Sequence, residues 1–196
     1  MSKSDPSTAK KERNKTIRWV VTIFFVTIFI SGTISVLSDE IMANSGMFVA
    51  FLILLVIILI GILFDIVGVA VTSADEKPFH SMAARKVPGA QEAIRLLRNA
   101  ERVSSICNDV IGDICGVVSG SASATIAAQI LMNFDFSWPQ VVSLGMSALV
   151  AGLTVGGKAV GKTFAMNSCT RIVHFAGKVI GFFRRAPKLF HKKKTK

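Results

Sequence analysis

The stretch MFVAFLILLVIILIGILFDIVGVAV, residues 47–71, holds twenty-five positions and a single charge, Asp65. Wound as a helix, a run of that length exceeds the ~30 Å hydrocarbon thickness of a bilayer. Three more apolar runs of similar kind lie at residues 19–36, 110–132 and 141–160. The pattern predicts an all-α integral membrane protein with four transmembrane helices.

The flanks of these runs orient them. Lys3, Lys10, Lys11, Arg13, Lys15 and Arg18 precede the first, and Lys77, Arg85, Lys86, Arg95, Arg98 and Arg102 lie between the second and third. A further basic tract ends His191-Lys192-Lys193-Lys194. The two remaining loops contain no Lys or Arg, only Asp39 and Glu40 in one and Asp135 in the other. The positive-inside rule therefore predicts a multi-pass protein of the plasma membrane with both termini and the central loop cytoplasmic.

Hydrophobic residues make up 51% of the chain, yet its net charge is +11, so charge is concentrated in tails and loops. Basic residues beside membrane spans are attracted to anionic inner-leaflet lipid by about 1 kcal/mol each, which accounts for them without a nucleic-acid partner. Residues 1–15 lack apolar periodicity and are expected to form a disordered basic tail. Residues 16–37 read as a retained signal-anchor helix, because the apolar run is long and Ser38-Asp39-Glu40 is a poor cleavage context. Residues 186–196 form a polybasic tail. Cys107, Cys115 and Cys169 have no metal-ligand spacing and read as small apolar residues.

Chemistry concentrates in the third run. Asn108, Asp109 and Asp113 stand near its cytoplasmic end, followed by Ser119, Ser121, Ser123 and Thr125. A carboxylate inside a span costs about 2.5–3.5 kcal/mol on insertion scales, so it faces protein or water and needs compensation. Gly112, Gly116, Gly120, Ala124 and Ala128 recur every fourth residue, and Gly145, Ala148, Gly152 and Gly156 offer a matching face on the fourth run. The expectation is close packing of these two helices. Asp65 has the position of a residue that pairs with a base across an interface. Two amphipathic juxtamembrane helices are also expected. One follows the Pro88-Gly89 turn, with Ala90, Ala93, Ile94 and Leu97 on its apolar face. The other continues the fourth span, with Phe164, Ile172, Val173, Val179 and Phe183 opposed by Lys162, Arg171, His174, Lys178 and Arg185, and lies in the interface plane.

The segment from Gly156 to Thr163 satisfies G-x-x-x-x-G-K-[ST], the phosphate-binding loop of nucleotide hydrolases. That loop works between a β-strand and a helix, whereas here it ends a membrane helix with no acidic residue after Asp135 to hold magnesium. A different likeness fits the same residues. Gly157-Lys158-Ala159-Val160-Gly161-Lys162-Thr163-Phe164-Ala165, followed by Asn167 and Arg171-Ile172, resembles the Gly-Glu-x-x-Pro-Lys-x-x-Ala signature after the last span of the CorB/CorC/cyclin-M (CNNM) transmembrane domain. Ser73-Ala74-Asp75-Glu76 is similar to that family's Ser-Gly-Ser-Glu. The stretch from Pro88 to Leu97, with Glu101-Arg102, resembles its juxtamembrane helix and Pro-Glu-Arg, and Gly112-Asp113 falls near its Gly-Asn.

The resemblance implies a three-span CorB/CorC-like core at residues 47–185, preceded by one extra helix. It also implies a homodimer, a role in magnesium and cobalt transport or efflux, and a cation site of Ser73, Glu76, Asn108, Asp109 and Asp113. The sequence given ends at residue 196, so the expectation is a membrane domain without the paired nucleotide-sensing (CBS) and C-terminal domains usual in the family. Lys158, Gly161 and Asp113 depart from the family's Glu, Pro and Asn, while Lys162 keeps its Lys.

Lys158 admits two readings. Its ammonium pairs with Asp113 or Asp109 and fills the site as an internal counter-ion, or it snorkels to the headgroups and leaves the carboxylates free for a hard cation. The function expected is divalent-cation transport, with magnesium as the transported ion and no organic cofactor. The alternative is a non-transporting scaffold or regulatory subunit that binds a membrane partner. No nucleophile with its base is visible, so no enzyme is expected.

Overall fold

The run at residues 47–71 becomes the central helix of the molecule, buried against its neighbours along the face of Leu54, Ile58, Gly61, Asp65 and Gly68 and exposing Leu52, Leu55 and Leu63 on the other. In the computed structural model, residues 6–43, 45–134 and 138–191 are described, with side chains defined at 17–42, 45–134 and 138–184. The helices are α1 (Pro6–Ala43), α2 (Met47–Ser73), α3 (Lys77–Ala84), α4 (Ala90–Arg98) and α5 (Ala100–Ser104). A π-helical segment, π1 (Ser105–Gly112), then leads into α6 (Asp113–Asn133), α7 (Pro139–Asn167) and α8 (Cys169–His191). No strand occurs among the described residues. Four helical lengths, Ile17–Met42, Met47–Ser73, Ala100–Asn133 and Pro139–Asn167, are long and apolar enough to cross a membrane.

Helix α2 packs against α6, π1 and α7, burying Leu54, Ile58, Gly61, Asp65 and Gly68. Near its start, Leu54 and Ile58 share a core with Met42 of α1, Ala122 and Ile126 of α6, and Val150 of α7. Near its end, Ala70 and Val71 pack with Phe79 of α3, Ala93 and Ile94 of α4, Ala165 of α7 and Val173 of α8. Phe79 is fully buried there, a contribution of about 1.5–3 kcal/mol that anchors α3 beneath the bundle.

Helix directions follow from close contacts at glycines. A Cβ on Gly157 or Gly161 of α7 would strike Ile62 or Ile66 of α2, so the two helices advance together. A Cβ on Gly61 would lie 2.9 Å from the Cβ of Cys115, and one on Gly68 would strike Asn108, so π1 and α6 run antiparallel to α2. Helix α1 runs with α6. Gln129 Nε2 donates to the Met42 carbonyl at 2.8 Å, and Thr125 Oγ1 donates to Asp39 Oδ1 at 3.3 Å. At the other end of α1 the Arg102 guanidinium stands 5.8 Å over the Trp19 ring.

Several expectations change. Helix α1 starts at Pro6, so helix reaches into the segment expected to lack order; Ala9, Lys10, Lys11, Glu12 and Arg13 are good helix formers behind a proline suited to a first turn. It also continues past Asp39 and Glu40 to Ala43, which shortens the loop between the first two long helices. Residues 1–5, Asp135 and Lys192 to Lys194 lie outside the described residues.

The apolar face expected on α4 is present, with Ala90, Ala93 and Ile94 buried. Helix α8 crosses it closely. A Cβ on Gly177 would strike the Gly89 carbonyl oxygen, and one on Gly89, whose φ is 87°, would lie 2.6 Å from the Lys178 nitrogen. Glycine at 89 therefore serves both a left-handed turn and a backbone crossing. The opposite side of α8 leaves Phe175, Phe182 and Phe183 exposed.

Candidate functional site

The third span is not one regular helix. Residues Ser105–Gly112 adopt π geometry, which is rare overall but frequent at functional sites. Asn108 and Asp109 fall within it, Asp113 begins α6, Ser73 ends α2 and Glu76 precedes α3.

These five residues do not converge. Asn108 points inward against Gly68; its Nδ2 donates to Ser104 Oγ at 3.2 Å, while its buried Oδ1 has no hydrogen-bond partner. Asp109, Asp113 and Ser73 are exposed. Glu76 is engaged elsewhere: Arg98 Nε donates to its Oε1 at 3.2 Å and His80 Nε2 lies 3.4 Å from its Oε2, linking α3 to α4 at the surface. No group of three or more His, Cys, Asp and Glu is arranged to hold a metal among the described residues.

A different pair of groups comes to the α2–π1 contact. Asp65, 3% exposed, lies on the α2 face between Gly61 and Gly68, and its Oδ2 has no hydrogen-bond partner. Removing water from a carboxylate without replacing its hydrogen bonds is costly, and this oxygen and Asn108 Oδ1 are the buried side-chain oxygens left without a partner among the described residues. Lys158 of α7 is half-buried, and its Nζ donates to the Gly112 carbonyl at 3.4 Å. It forms no ion pair with Asp109 or Asp113, and Lys162 on the next turn is exposed.

The small-residue faces are also redirected. A Cβ at Gly116, Gly120, Gly145, Gly152 or Gly156 would meet nothing within 4 Å, and Ala124, Ala128 and Ala148 are exposed. The four-residue repeat does mark a face, but that face is outward; the close helix approaches use Gly61, Gly68, Gly157 and Gly161 instead. The nucleotide-loop match lies wholly inside α7, where the amides belong to the helix rather than to an open cradle.

Sequence reading assigned Asp65 an interface role without joining it to Asn108. Its signal was present, since it is the only charge in the second apolar run. The π geometry has no comparable signature. No family model, curated protein or solved structure matches the chain.

Proposed function

We propose that the chain is an integral membrane protein of four spans whose function is divalent-cation transport or efflux of the magnesium type, a minimal CorB/CorC-like membrane domain. The observation that carries this reading is the pair of buried, unpartnered oxygens, Asp65 Oδ2 and Asn108 Oδ1, at the contact of α2 with a π-helical break. Carboxylate and amide oxygens are the ligands hard cations prefer, and irregular helix is tolerated at membrane depth where it lines a site.

The surface supports the membrane setting. Phe24, Phe25 and Phe29 of α1 and Leu52, Leu55 and Leu63 of α2 are exposed, as suits contact with lipid tails. The loop charges support a reading with both termini on the cytoplasmic side of the plasma membrane. On that side α8 presents its phenylalanines and Arg171, Lys178 and Arg184 to an anionic leaflet. The outward glycine faces of α6 and α7 suit a homodimer. A second reading, a scaffold or regulatory subunit for a membrane partner, is favoured by those same open faces and by the ammonium of Lys158 inside the bundle.

Flux into liposomes decides between them. Protein reconstituted with a magnesium-sensitive dye inside is expected to move magnesium, with Asp65→Asn and Asn108→Ala lowering the rate at least tenfold and Glu92→Gln leaving it unchanged. No flux above empty liposomes, with a stable complex formed with another membrane protein, selects the scaffold.

A further inference from the structure

We propose that Asp65 is the counter-ion of Lys158, and that the lysine ammonium is the resident occupant of the oxygen site formed by Asp65, Asn108 and the Gly112 carbonyl. Gly157 and Gly161 meet Ile62 and Ile66, so Lys158 stands beside the α2 turn that contains Asp65. Gly61 meets Cys115 and Gly68 meets Asn108, which sets Gly112 at the same level from the other side. Three helices thus bring one carboxylate, one ammonium and one carbonyl to a single depth.

Hydrogen-bond accounting completes the argument. A lysine ammonium has three donors, and one reaches Gly112 O at 3.4 Å. The other two have no partner among the described residues, while Asp65 Oδ2 and Asn108 Oδ1 each lack a donor. Asp109 and Asp113, the partners expected for Lys158, are exposed and form no ion pair with it. In the structure Lys158 Nζ rests on Gly112 O and is beyond ion-pair distance of Asp65; the proposed pair forms by a change of rotamer along the flexible four-carbon lysine stem. A free cation then enters the oxygen site only when the ammonium withdraws. This pairing holds whether or not the chain moves ions, and its test reads stability rather than flux.

The full chain in detergent carries the test. Asp65→Asn and Lys158→Met are each expected to lower the melting temperature by about 5–10 °C, and the double variant to recover to within about 3 °C of the parent. A single variant recovered only as aggregate counts as destabilised, and the double variant then decides: monodisperse protein supports the pair, aggregate overturns it. Additive losses, or rescue of Lys158→Met by Asp113→Asn instead, also overturn it. Sodium or magnesium chloride, against choline chloride of equal ionic strength, is expected to raise the melting temperature of Lys158→Met and not that of the parent or the double variant. Equal responses in all three refute a site held by the ammonium.

Discussion

Asn108 of π1 stands against Gly68 of α2, in the space that a Cβ at position 68 would fill. The π segment is thereby seated on the central helix by a polar side chain, and the glycine is what lets it approach. Gly68→Ala is expected to cost about 1–3 kcal/mol, because the buried amide must move and its backbone with it. Gly120→Ala, facing open space, is expected to be neutral or to stabilise by up to about 1 kcal/mol. Thermal unfolding followed by far-UV circular dichroism separates the two; equal effects would show that the approach at Gly68 is not close in solution.

Topology is read with a membrane-impermeant thiol reagent on a variant lacking Cys107, Cys115 and Cys169. Cysteine at Ser45 or Trp138 is expected to label in intact cells, and cysteine at Arg85 only after permeabilisation. Labelling of position 85 alone in intact cells inverts the arrangement.

Glu76 distinguishes a surface link from a cation ligand. Its partners Arg98 and His80 are 64% and 52% exposed, so Glu76→Gln is expected to shift stability by less than about 1 kcal/mol. The same substitution is expected to leave magnesium flux intact. Loss of flux at unchanged stability would return Glu76 to the metal site that the family resemblance implies.

Gly116 tests the outward face. Gly116→Leu is expected to leave the single chain's melting temperature within about 2 °C, since a Cβ there would meet no other described helix within 4 Å. It is expected to shift sedimentation or light-scattering mass in detergent from dimer to monomer. A parent chain that is already monomeric in mild detergent and in nanodiscs rules out the dimer through this face.

Helix α8 offers a depth measurement. With Trp19 and Trp138 replaced by Phe, tryptophan introduced at Phe182 is expected to be quenched by brominated lipid tails, most in vesicles rich in phosphatidylserine. Tryptophan at Gln91, on the exposed side of α4, serves as the unquenched control.

Apolar run length carried most of the architecture. Residues 47–71 and their three counterparts lie within the four long helices, and the spacing of Ala90, Ala93 and Ile94 marked the buried face of α4. Periodicity gives a helix its faces but does not say what each face meets. That is why α6 and α7 do pack together as expected, through Ala122, Ile126 and Val150, while Gly116 and Gly120 mark a side of α6 that meets neither α7 nor any other described helix. The site was less legible for a related reason. Asp109 and Asp113 are neighbours in sequence, whereas the groups of the proposed pairing, Asp65, Asn108 and Lys158, come from three separate helical lengths. Only the register between helices joins them, and that register is set by glycine contacts that no single span reveals.

The π segment has a geometric consequence for the whole third span. Each of its turns closes one residue later than an α turn, so the helix on either side of it is out of phase with an unbroken α-helix. Were Ser105–Gly112 to rewind into α geometry, each residue gained would rotate α5 and α4 relative to α6 by about 100°. The short helices α4 and α5 are thus geared to the long helix α6. A local change of winding around Asn108 would reach α4 as torque.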